Sequence, residues 1–178
     1  MANTDNAQGL KFKPVGANVG LVYYDVDASN ASPIGKNDPV AMDADGNVSR
    51  LAADGTDCVG VVQVIENSNG LSINYLAAST AGKVGVVPCA GNHFVIQSDG
   101  ATAATDVGST VDIVASDCDT TTGVSTFQLD HSDIGTGTQL RIIGKAPSQE
   151  SDNEWGAANV DVVVEFNKYL GSAGSASV

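Results

Sequence analysis

Between residues 37 and 66 the chain reads NDPVAMDADGNVSRLAADGTDCVGVVQVIE, and this stretch constrains the fold more than any other. Apolar runs at 39–42, 47–51 and 58–65 are separated by Asp45-Gly46 and Asp54-Gly55. Asp and Gly accept the left-handed and turn conformations that β-branched residues resist, so each Asp-Gly between apolar runs marks a reversal of direction. The three runs therefore read as a β-meander. The last of them, CVGVVQVI, is nearly continuous in its apolarity rather than alternating. That pattern predicts a central strand buried on both faces, with the rest of the chain packed around it.

The same grammar of short apolar runs and turn residues continues on either side. Residues 19–26 read as a strand and 27–36, with Pro33, as a loop; 67–70 is a turn, 71–75 a short strand and 77–82 a bend. Residues 83–88 and 93–97 flank Cys89-Ala-Gly-Asn92 and read as a hairpin, while 101–108 is irregular. Strands at 110–115, 124–129, 139–145 and 159–167 follow. About ten short strands with no sustained helical period predict an all-β fold, a single-domain antiparallel sandwich or barrel.

Both ends differ from this middle. In residues 1–15 the first eight are polar, after which Leu10, Phe12 and Val15 stand beside Lys11 and Lys13. We read 1–15 as a flexible N-terminal arm whose alternating end can add a strand to a sheet edge, its own or a neighbour's. Residues 16–170 form the β domain, and 171–178, almost all Gly, Ser and Ala, read as a flexible tail.

Charge narrows the partners. The net charge is −13, with eight Lys and Arg against 21 Asp and Glu. Binders of nucleic acid need clustered cations to release counterions, so neither nucleic acid nor an anionic membrane is expected as a partner. The longest apolar runs fall short of the roughly 20 residues that a spanning helix needs. The polar start, MANTDNAQ, predicts no export by a signal peptide.

No constellation for chemistry emerges, and we expect neither an enzyme nor a cofactor. His93 and His131 lie in no Ser or Cys setting typical of a nucleophile and its base. Gly135-Thr-Gly137 begins like a dinucleotide fingerprint, but Leu140 stands where the third Gly belongs. Cys58, Cys89 and Cys118 are odd in number and widely spaced, which suits buried thiols rather than disulfides or zinc. Asp43 with Asp45, Asp117 with Asp119, and Asp130 with Asp133 offer hard oxygen ligands for calcium, yet none completes the twelve-residue loop. Turn chemistry accounts for them, and no metal ligand is assigned. Trp155, the single tryptophan, either plugs one end of the core or anchors a contact with another chain.

An ordered set of segments resembles one family of tailed-bacteriophage head proteins, the small capsid decoration or cement proteins. The set comprises NAQGLKFKPVG at 6–16, NDPVAMDADGNVSRLAADGTDCVGVV at 37–62, LAASTAGKVGVVPCAGNHFVIQSDG at 76–100, residues 106–130 ending in FQLD, and 139–170 with Asp-Asn-Glu before the last strand. Residues 35–39 read GKNDP, two residues longer than the Gly-Asp-Pro of the family. The resemblance implies a β domain that binds the outer face of an icosahedral shell in the virion, assembled in the host cytoplasm, and reinforces it without catalysis. It further implies the major capsid protein as partner and a homo-oligomer, with a trimer favoured over a dimer. Leu10, Lys11, Phe12, Lys13, Val15 and Trp155 are the candidate contacts with capsid or neighbouring subunit. The alternative is a tail-fibre or carbohydrate-binding β module of the virion, stabilised by calcium.

Overall fold

The computed structural model describes residues 5, 9, 11–13, 20–147 and 153–171. The expected arm at 1–15 is thus described only in part, and the tail lies outside the described residues beyond 171.

Two five-stranded antiparallel sheets face each other. The first contains β1 (Lys11–Lys13), β9 (His93–Gln97), β14 (Asp161–Phe166), β13 (Leu140–Lys145) and β10 (Thr110–Val111), in that order. The second contains β2 (Val22–Val26), β8 (Gly82–Pro88), β6 (Cys58–Asn67), β4 (Pro39–Met42) and β5 (Val48–Arg50). Two-stranded pieces join β3 (Ile34–Gly35) to β7 (Tyr75–Leu76) and β11 (Ile113–Val114) to β12 (Gln128–Leu129). Single 3-10 turns lie at Ala104–Asp106 and His131–Asp133. The fold is an all-β sandwich, the first of the two expected architectures, and among the described residues the sheets end in separate edges rather than closing into a barrel.

β6 lies inside the second sheet, between β8 and β4, and is buried on both faces as its composition predicts. Cys58 and Val61 point into a core between the two sheets, with Phe94, Ile96, Leu140, Ile142, Val162, Val164 and Phe127. Val59, Val62 and Ile65 point the other way, into a second core with Ile34, Val40, Leu76, Val84 and Val86. Burying apolar surface stabilises by roughly 25 cal/mol per Å2, so a strand that feeds two cores is worth about twice a strand with one wet face. Gly60 in its middle allows the close approach of β8: a Cβ there would stand 2.5 Å from a Val86 methyl and 2.6 Å from the Val87 carbonyl.

Three expected connections differ. The stretch 37–66 is not a meander, because β4 pairs with both β5 and β6 while β5 takes the sheet edge. The chain after β5 is drawn toward the opposite sheet instead. Leu51 enters the shared core, and the buried Gln139 side chain donates to the carbonyls of Ala52 (3.1 Å) and Gly55 (2.7 Å). Residues 83–88 and 93–97 are not a hairpin either: β8 and β9 belong to different sheets. The turn between them carries the chain across the core, with Cys89 buried in it and Asn92 donating to the Pro88 carbonyl at 2.9 Å. Finally, the expected strand 110–115 divides at Asp112 into β10 and β11. The Asp112 carboxylate accepts from the backbone of Thr138 and Gln139, which bends the chain out of one sheet and into the next.

Candidate docking face

Strand alternation decides what the outer face of the first sheet presents. Phe94 and Ile96 of β9, Val162, Val164 and Phe166 of β14, and Leu140 and Ile142 of β13 face the core. Their neighbours therefore face outward: His93, Glu165 and Arg141 fall in register across three strands. Glu165 stands between the other two, 3.7 Å from His93 Nε2 and 3.8 Å from Arg141 Nη1. Arg141 also donates to the Asn167 side chain at 3.1 Å. Thr110 pairs with Arg141 at one end of the row, and at the other the backbone of β1 pairs with β9 opposite His93. A bulge after Ile142 leaves Ile143 partly exposed beside it. Lys145 pairs with Glu154 at 3.1 Å.

The strands of this sheet carry Lys11, Lys13, Arg141 and Lys145 against Asp161 and Glu165. Half of the eight Lys and Arg thus belong to one sheet of a chain whose net charge is −13. Exposed pairs of this kind add little stability. Their effect is on the field: this sheet is the part of the molecule least hostile to another acidic surface.

Of the expected contact residues, Leu10 and Val15 lie outside the described residues. Lys11, Phe12 and Lys13 form β1, paired with Val95, Phe94 and His93. Upstream, Gly9 is buried in a left-handed conformation (φ 64°) against Ser125, and Asp5 accepts a hydrogen bond from Gln128 at 3.3 Å. The described part of the arm therefore lies along its own domain, and the outer edge of β1 has no partner among the described strands. Trp155 is half-buried and packs against the core between the sheets. Asn153, which bridges the ends of β13 and β14 through Ala146 and Asp161, holds its loop in place.

The Asp pairs sit in turns. Asp45 accepts from the Asn47 backbone and side chain, Asp119 from Thr121 and Thr122, and Asp130 from Ser132. These bonds hold the Asp45 and Asp119 carboxyls below the usual carboxylate range. Among the described residues no three His, Cys, Asp or Glu side chains gather closely enough to hold a metal ion. His131 begins a 3-10 turn, its N–H donating to Asp99 at 2.8 Å. All three cysteines are buried and free. Burial raises the Cys89 thiol well above its ordinary range, with Cys58 beside it, and pushes Cys118 up to about 11.

Asp38 is the exception among the acids, because it is fully buried. The Gly35 N–H donates to its Oδ2 at 2.7 Å, whereas Oδ1 has no partner. Desolvation pushes its carboxyl up to about 6, against the opposing pull of Ser125, Gly35 and Arg50. Nothing in the sequence around it distinguished Asp38 from the surface acids. The outward row was equally hidden, since QLRIIGK and NVDVVVEFN reveal which residues alternate but not which strands meet. No protein-family model, curated protein or solved structure matches this chain.

Proposed function

We propose that this chain is a structural virion protein, a decoration or cement protein that binds the outer face of a bacteriophage capsid and reinforces it. The observation that carries the reading is the first sheet, which combines an outer edge at β1 that has no partner among the described strands with half of the chain's cations. An open edge can extend its hydrogen-bond ladder onto another chain, and a face of low net charge lets many acidic copies crowd onto one lattice. The ordered sequence resemblance names the lattice, with the major capsid protein as partner. A sheet edge left bare invites uncontrolled pairing, so closure into a homo-oligomer, a trimer by preference, supports the same reading.

Co-sedimentation of the purified protein with phage heads that lack it tests the proposal. Saturable binding is expected, and Arg141→Glu with Lys145→Glu should weaken it at least about tenfold, since charge reversal at a close contact costs more than 1.4 kcal/mol. Heads that take up none of the wild-type protein would refute it.

A further inference from the structure

We infer that the Asp38–Pro39 peptide bond is a self-cleavage site, at which the buried Asp38 carboxyl attacks its own main-chain carbonyl and divides the folded chain into residues 1–38 and 39–178. The inference stands apart from the docking reading and rests on four features of the same peptide unit.

The first is the nucleophile. Asp38 is 0% exposed and its Oδ1 has no hydrogen-bond partner, while Oδ2 is held by the Gly35 N–H at 2.7 Å, so Oδ1 is the carboxyl oxygen left for attack. The second is the electrophile. The Asp38 carbonyl oxygen accepts the Val62 N–H at 2.9 Å, a bond that polarises the carbonyl under attack. The third is the leaving group. Pro39 supplies a tertiary amide whose nitrogen carries no hydrogen and departs as a secondary amine. The fourth is restraint. Asn37 holds a left-handed backbone, φ 70°, unusual for a residue with a side chain, while its N–H is tied to the Val62 carbonyl. On the other side the Pro39 carbonyl accepts the Leu51 N–H at 2.9 Å. The bond is clamped from both ends between two strands.

The chemistry balances without an oxidant, reductant or metal. The carboxyl oxygen adds to the Asp38 carbonyl carbon, the C–N bond breaks, and the acid proton passes to the Pro39 nitrogen. A five-membered cyclic anhydride remains on Asp38. Water adds across it and yields the side-chain acid and a new C-terminal carboxylate, so the net change is hydrolysis of one peptide bond. The step needs the carboxyl proton, which burial retains to about pH 6. The charged and titratable groups around it are Arg50 on β5 and Asp117 and Cys118 in the segment after β11, with Arg50 already paired to Asp117 at 2.6 Å. After cleavage the pieces stay associated, because β1, β2 and β3 of the smaller piece still pair with β9, β8 and β7 of the larger. The nick therefore appears only under denaturing conditions.

The full chain should be incubated at about pH 5 and about pH 8, folded and in concentrated urea, and followed by intact mass spectrometry after denaturation. We expect two fragments, the larger beginning at Pro39. They should form in the folded sample at about pH 5 at least about tenfold faster than in urea, as orientation of the reacting groups requires. Cleavage should fall at the higher pH, vanish in Asp38→Ala, whose side chain holds no nucleophile, and fall in Pro39→Ala, each checked for folding by its thermal melt. No fragment at this bond, a rate in urea equal to that of the folded chain, or fragments that persist undiminished in a folded Asp38→Ala variant would each overturn the inference.

Discussion

Asp38 ties the stability of the whole chain to pH through one carboxyl. Its value of about 6 in the fold stands above the 3.8 of an ordinary Asp, so the folded state holds the proton more tightly than the unfolded state does. The contribution is fully present below the unfolded value and is lost as pH rises through about 6. Two pH units correspond to about 3 kcal/mol at most. Replacing Asp38 by Asn removes the ionisation and keeps an acceptor for the Gly35 N–H. Urea unfolding should therefore show the variant more stable than the parent by about 1–3 kcal/mol above neutrality, with the gain disappearing in acid. A gain independent of pH would assign the effect to packing. Asp45 and Asp119 act in the opposite sense, since their turn bonds favour the ionised form and are lost as pH falls.

At the scale of elements, β1 decides whether the N-terminal segment belongs to the domain. Its pairing with β9 predicts that deleting residues 1–14 lowers the melting temperature of the free protein, by about 2–4 °C for each kcal/mol lost. An unchanged melt, measured by calorimetry, would mean that the pairing contributes nothing in solution and that the segment is free to dock elsewhere. Most strands were legible in the sequence because their apolar runs are bounded by Asp-Gly, Asn and Pro, and β6 announced its two-sided burial by lacking alternation. Partnership was not legible. Whether β8 turns back on itself or crosses to the other sheet depends on Cys89 and Phe94 finding the same core, and the course after β5 depends on Gln139, distant in sequence. β3, only two residues long, was hidden inside a loop rich in Ser and Asn and exists because Leu76 and Tyr75 lie opposite it.

For the molecule as a whole, a charge of −13 opposes association until it is screened. Raising ionic strength from about 0.05 to 0.5 M shortens the screening length severalfold, so self-association through the first sheet should strengthen with salt as the repulsion between the acidic molecules is screened. Sedimentation equilibrium checks this, and a monomer at every salt and protein concentration would remove the homo-oligomer from the proposal. The order of strands in that sheet also fixes how the molecule answers a pull. β1 and β14 both run antiparallel to β9, which lies between them, so they run parallel to each other and the two ends of the domain leave from opposite ends of one ladder. Tension applied through the termini therefore slides the strands lengthwise and loads every rung at once. Strands peeled from one end would instead give way a rung at a time, so this domain is strongest along the line that joins what it is tied to at either end.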